Sequence, residues 1–136
     1  MASGLVCPDQ EWSALMKKIL MVEDIPDNAE LARRMLVTAG YEVFHAPDAE
    51  TGLQMALDVH PDLILLDLGL PDYDGQTLAG WLRAAPETAQ TPMVAFTAWP
   101  EETARKMVES YGFDGYIGKP LVKVNHFIAQ IASFIK

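Results

Sequence analysis

The chain has 136 residues, half of them hydrophobic and 21% charged. That length holds one hydrophobic core and leaves no room for a second, and the composition is that of a folded chain. A formal net charge of −9 argues against a nucleic-acid partner, because phosphate-backbone binding needs a basic face.

A single cysteine, Cys7, excludes an internal disulfide and a cysteine-rich zinc site, and suits a reducing compartment. No apolar stretch approaches the roughly 18 residues that span a bilayer, so no membrane partner is expected. Leu5-Val6-Cys7 has a faint likeness to a lipoprotein cleavage site, but no basic segment or apolar run precedes it. The expectation is a cytoplasmic chain. Residues 1–17 read as an N-terminal extension to a domain over 18–136. Pro8-Asp9 opens either a short helix through Trp12, Leu15 and Met16 or a frayed segment.

The first predicted strand is Ile19-Leu20-Met21-Val22, running into Glu23-Asp24. Asp27 with Glu30 three residues on has the spacing of a capping box. It opens a helix with Leu31, Met35 and Leu36 inward, closed by Gly40. Tyr41 to Ala46 forms a second, peripheral strand, and Pro47-Asp48 starts a helix with Leu53, Ala56 and Leu57 buried, ending before His60-Pro61. The third strand, Leu63-Ile64-Leu65-Leu66, runs into Asp67. A turn-rich segment from Gly69 to Gly75 leads to a helix around Leu78 to Leu82. Pro86 and Pro92 bracket the path to the fourth strand, Met93-Val94-Ala95-Phe96, which runs into Thr97. Pro100 begins a helix reaching about Ser110, stopped by Gly112. Gly115-Tyr116-Ile117 then leads through Gly118 to Lys119, before a last helix from Val122 to Ile135.

Short apolar runs without polar alternation indicate strands covered on both faces, as in a parallel sheet. The β-α pattern repeated five times predicts an α/β fold with helices on both sides. Ligands of such sheets bind beyond the carboxyl ends of the strands. Glu23, Asp24, Asp67, Thr97 and Lys119 would then meet at one edge. Like charges about 4 Å apart repel by roughly 4 kcal/mol at an effective dielectric near 20. A divalent cation removes that cost, and an all-oxygen donor set suits Mg²⁺.

These residues carry a resemblance. From Lys18 to Lys136 the chain resembles the receiver domain of two-component response regulators, of the chemotaxis and cell-cycle single-domain type. The matching residues are Glu23-Asp24, Asp67 within Leu65-Leu66-Asp67-Leu68-Gly69-Leu70-Pro71, Gly75, Thr97-Ala98, Tyr116 and Lys119-Pro120. The resemblance implies a flavodoxin-like, doubly wound five-stranded parallel sheet of order 2-1-3-4-5. Asp67 would accept a phosphoryl group from a histidine kinase or a histidine phosphotransfer protein. Asp24, Asp67 and the Gly69 carbonyl would hold Mg²⁺, with Glu23 reaching it through water. Lys119 would pair with Asp67, and Thr97 and the Ala98 N–H would bind phosphate oxygens. Thr97 and Tyr116 would form the switch, read by a downstream protein on the fourth helix, fifth strand and fifth helix. A phosphorylation-dependent homodimer is a further option. Pro120 would follow a cis peptide bond.

The chain also departs from the commonest pattern of that family. Glu23 stands where many relatives have Asp, Gly69 lacks a side chain two positions after the acceptor, and Trp99 is bulky two positions after Thr97. Gly69 and Trp99 are therefore expected to modulate dephosphorylation, with Trp99 slowing attack by water. His45, His60 and His126 are read as structural or surface groups distant from the acids. No output domain follows Lys136, so the expectation is a stand-alone switch without free enzymatic turnover. Three alternatives stay open: a degenerate receiver that binds partners without phosphorylation, an aspartyl-phosphate phosphohydrolase, and the tail of a hybrid kinase.

Overall fold

The computed structural model describes residues 16–119 and 123–135. Five strands, β1 (Lys18–Val22), β2 (Glu42–Ala46), β3 (Leu63–Asp67), β4 (Met93–Thr97) and β5 (Gly115–Gly118), alternate with five helices. The helices are α1 (Pro26–Thr38), α2 (Ala49–Val59), α3 (Gly75–Ala84), α4 (Glu101–Tyr111) and α5 (Val124–Phe134). All pairings are parallel, in the order β2-β1-β3-β4-β5. This is the doubly wound order that the resemblance implied. Most of the segment expected to form an N-terminal helix lies outside the described residues, and Met16 sits in a bend.

Alternation along the strands sorts the apolar runs into two cores. Leu20, Val22, Ile64, Leu66, Met93 and Ala95 face one side, where α2 and α3 contribute Ala49, Ala56, Leu78 and Leu82. Ile19, Met21, Leu63, Leu65, Val94 and Phe96 face the other, covered by Ala32 and Leu36 of α1 and Phe127 and Ile131 of α5. Fully burying a side chain of this kind contributes about 1.5–3 kcal/mol. With both faces of β1, β3 and β4 covered, a slip of one residue would exchange the two cores, so the register is firmly set.

Two details of α1 differ from expectation. Asp27 and Glu30 form no capping box: the N-cap is Ile25, with no side-chain cap, and Glu30 instead binds Arg33 and Arg34. Pro26 at the first helical position already lacks the N–H that a cap would satisfy. Leu31 points outward at 44% exposure, while Ala29 and Ala32 are buried beside Leu36. The small alanines let α1 approach the sheet closely. In α2 the buried positions are Ala49, Gly52 and Ala56, whereas Leu53 and Leu57 are only half-buried.

Gly75 sets the approach of α3 to β3. A Cβ there would lie 2.5 Å from the Asp67 carbonyl oxygen and 2.8 Å from the Leu68 Cα. Both are main-chain atoms, so relief requires moving the helix. Gly75→Ala is expected to cost about 1–3 kcal/mol of stability, measured by denaturant unfolding, and an unchanged midpoint would contradict this packing.

Candidate functional site

Strand register builds the site. Val22 pairs with Leu66, so Glu23 and Asp67 emerge side by side from β1 and β3. Asp67 pairs with Phe96, which puts Thr97 one residue further out on β4. Thr97 pairs with Gly118, which delivers Lys119, and the Lys119 N–H donates to the Thr97 carbonyl at 2.8 Å. Four neighbouring strands thus present their chemistry at one carboxyl edge.

Glu23, Asp24 and Asp67 each offer a carboxylate oxygen, and these atoms all lie within 4.8 Å of one another. Lys119 Nζ sits 2.6 Å from Glu23 Oε1 and 3.5 Å from Asp67 Oδ2. The expectation paired Lys119 with Asp67; in this structure its shorter contact is to Glu23. The reason is burial, since Glu23 is wholly inaccessible and a carboxylate removed from water needs the nearest cation. Lys119 also lies over the Phe96 ring, 4.9 Å from its centroid, in a cation–π contact.

One ammonium does not balance three carboxylates. Burial pushes the Asp67 carboxyl up to about 6, a hydrogen bond with Glu23 adds to the rise, and the Gly69 N–H and Lys119 oppose it. Asp24 is raised as well, first by burial and then by its hydrogen bond with Asp67. Glu23 Oε2 and Asp24 Oδ1 are buried without a hydrogen-bond partner. Orphaned oxygens on adjacent acids fit a hard divalent cation such as Mg²⁺.

Around this centre, the Gly69 N–H donates to Asp67 Oδ1 at 3.1 Å. The Thr97 hydroxyl is buried and accepts the Trp99 N–H at 3.0 Å. Ala98 and Trp99 are exposed. Tyr116 pairs with Ala95 and packs against the α2–α3 core. Alternation puts Thr97 on the same sheet face as Ala95, hence on the face of Tyr116. Pro120 and its peptide bond lie outside the described residues.

One residue read as remote is not. His45 Nε2 lies 2.7 Å from the Glu23 carbonyl oxygen. The pairing of β1 with β2, which matches Met21 to His45, carries its ring to the corner of the site. Parallel pairing of two neighbouring strands was the signal that could have found it. His60 instead caps α2 in a left-handed conformation, and His126 is exposed on α5.

The raised Asp67 pKa has a definite sign. In the metal-free chain, Asp67 favours the folded state below its ordinary pKa near 3.8 and loses that contribution as pH rises to about 6. Asp67→Asn mimics the neutral form. It should leave stability unchanged near pH 3.5 and, without divalent ions, raise it at pH 8. Solvent at the outer edge of the carboxylate limits the gain to about 1–3 kcal/mol. Thermal unfolding of both proteins across this range measures it; equal melting temperatures at pH 8 would contradict the charge account.

Comparisons with known proteins find relatives that span most of the chain. The family model for the response regulator receiver domain matches residues 19–132. The polar-differentiation response regulator DivK of Brucella ovis is 32% identical over 121 residues, covering 89% of this chain and 98% of that protein. A putative response regulator from Chloroflexus aurantiacus superposes with a TM-score of 0.82 at 29% identity, covering 88% of this chain and 97% of that one. The receiver domain of the sensor histidine kinase PA1611 from Pseudomonas aeruginosa, solved with magnesium in its active-site cleft, gives 0.80 at 28% identity, covering 88% and 97%. Fold, site geometry and sequence similarity together place the chain in the response regulator receiver domain family.

Proposed function

We propose that this receiver domain is a phosphorylation-dependent binding switch with Asp67 as the acceptor. The observation that carries the reading is the single ammonium of Lys119 shared between Glu23 at 2.6 Å and Asp67 at 3.5 Å. That arrangement leaves Asp67 a partly uncompensated carboxylate at the open edge of the sheet.

The donor is a phospho-histidine on a histidine kinase or phosphotransfer protein. An Asp67 oxygen forms the new P–O bond while the P–N bond breaks, and the leaving imidazole keeps that electron pair. Alignment and charge neutralisation carry such transfers. Lys119 follows the new negative charge to a phosphate oxygen, while the Thr97 hydroxyl and Ala98 N–H take the others. Glu23, Asp24, Asp67 and the Gly69 carbonyl would hold Mg²⁺. The ion supplies positive charge to the phosphoryl oxygens.

The phosphorylated group adds about −1.5 to −2 charges and three strong acceptors. Thr97 exchanges its Trp99 contact for a phosphate oxygen, which opens room for Tyr116 to turn inward. Shifting a two-state balance from 1:99 to 99:1 takes about 5.5 kcal/mol, within reach of a few charge-assisted hydrogen bonds at about 1.5–3 kcal/mol each. A downstream protein reads the change on α4, β5 and α5, a face that also suits a phosphorylation-dependent dimer. The chain acts in the cytoplasm and catalyses its own phosphorylation and slow dephosphorylation, without turning over a free substrate. Gly69 speaks against the phosphohydrolase alternative, which needs a general acid at that position.

Incubation with acetyl phosphate and Mg²⁺ should add one phosphoryl group by intact mass, lost on chelation and in Asp67→Asn. Lys119→Ala should slow labelling about 10- to 100-fold, the loss of one charge-assisted contact. Labelling that survives Asp67→Asn would defeat the assignment. Separately, Trp99→Glu should shorten the life of the phosphorylated form several-fold, and an unchanged or longer lifetime would rule out shielding by the indole.

A further inference from the structure

Asp72, in the loop between β3 and α3, does something that neither the site nor the switch accounts for. The first N–H groups of any helix lack intrahelical acceptors. In α2 the Thr51 N–H is taken by the helix's own cap, Asp48, at 2.8 Å. The two before it go elsewhere. The Ala49 N–H donates to Asp72 Oδ1 at 2.9 Å and the Glu50 N–H to Asp72 Oδ2 at 3.0 Å. One carboxylate from a distant loop therefore grips α2 with both oxygens. Glu50 is exposed and water can replace its bond, whereas Ala49 is buried, so Asp72 steadies the start of α2 as well as the loop. The same two bonds give the loop a fixed position against α2.

Apolar contacts also touch that loop, since Leu70 packs against the α2–α3 core and the Tyr73 ring meets Trp81 edge-on at 4.8 Å. Its other hydrogen bonds lie at its ends. Asp67 Oδ1 receives the Gly69 N–H at one side. At the other, the Gly75 N–H donates to the Leu68 carbonyl at 3.0 Å, and Asp74 caps α3 through Thr77. Gly69 lies between, exposed and with no atom within 4 Å of where its Cβ would stand. The anchor, in turn, is tied to the acidic corner. α2 follows β2, whose Ala46 carbonyl accepts the Glu23 N–H at 3.0 Å and whose His45 meets the Glu23 carbonyl.

We propose that Asp72 is a positioning residue for the phosphorylation site: its two-pronged grip on the α2 N-terminus holds the β3–α3 loop so that Gly69, whose N–H meets Asp67, stays beside the acid cluster. Asp72 touches neither cation nor phosphate. Releasing it lets the loop carrying Gly69 swing, and the cation loses a preorganised donor. The inference rests on the function proposed above.

The test uses the full chain and Mg²⁺ alone, titrated by calorimetry, followed by acetyl phosphate labelling. Asp72→Ala should raise the Mg²⁺ dissociation constant about three- to tenfold and slow labelling at limiting Mg²⁺. Saturating Mg²⁺ should restore the maximal rate, a split that general destabilisation would not produce. Asp72→Asn, which keeps one acceptor, should fall between. Asp48→Ala is the control, because it removes a carboxylate and a cap from the same helix end but leaves the loop attached; it should lower the melting temperature without changing Mg²⁺ affinity. Equal Mg²⁺ affinity in Asp72→Ala and the native chain would overturn the proposal, as would an equal weakening by Asp48→Ala. If the native chain itself bound no Mg²⁺ and took no label, the functional reading would fail first, and this one with it.

Discussion

The ion pair between Lys119 and the wholly buried Glu23 governs the rest of the site. Removing one partner of a buried pair costs about 3–5 kcal/mol, because the other charge is left stranded. Lys119 therefore makes its shorter contact with Glu23 and its longer one with Asp67. Burial first, and the neighbouring acids after it, raise Asp67 to about 6 and shift Asp24 in the same direction. The surplus negative charge is what makes the edge receptive to a divalent cation. It also leaves Lys119 able to change partners when new negative charge arrives on Asp67.

None of this charge arrangement drives folding. Apolar burial does, through the two cores that lock the register of β1, β3, β4 and β5. Mutually repelling groups persist because the strands that deliver them are held from both faces. Further from the site, Arg83 fastens α3 to the following loop through the Thr88, Ala89 and Thr91 carbonyls. It reaches across to the Gly112 carbonyl and to Asp114. The far end of α4 is thus tied down, while its near end adjoins Thr97 and the exposed Trp99.

The sequence made the strands and the edge legible for one reason. A buried parallel strand reads as an unbroken apolar run, and the residue that ends the run must face the ligand side. Ile19 to Val22, Leu63 to Leu66 and Met93 to Phe96 obey this, and their terminating residues are the ones the fold assembles. Helix faces were less legible. Close packing on a sheet favours Ala29 and Ala32 over the larger Leu31, a choice fixed by interlayer distance and not by periodicity. Glu30 had the spacing of a cap, but arginines three and four residues on compete for its carboxylate and win. His45 could have been found from the pairing of β1 with β2, but Asp72 was illegible because no strand register links its loop to the start of α2. Only the closed fold brings that loop and that helix together.

A crystal structure grown with Mg²⁺ and beryllofluoride tests the central claim most directly. The account predicts a beryllofluoride adduct on an Asp67 oxygen, one Mg²⁺ among the three acids, and Lys119 Nζ drawn from Glu23 to a fluoride. An unmodified Asp67, with Lys119 still on Glu23 and the cation bound elsewhere, would contradict it.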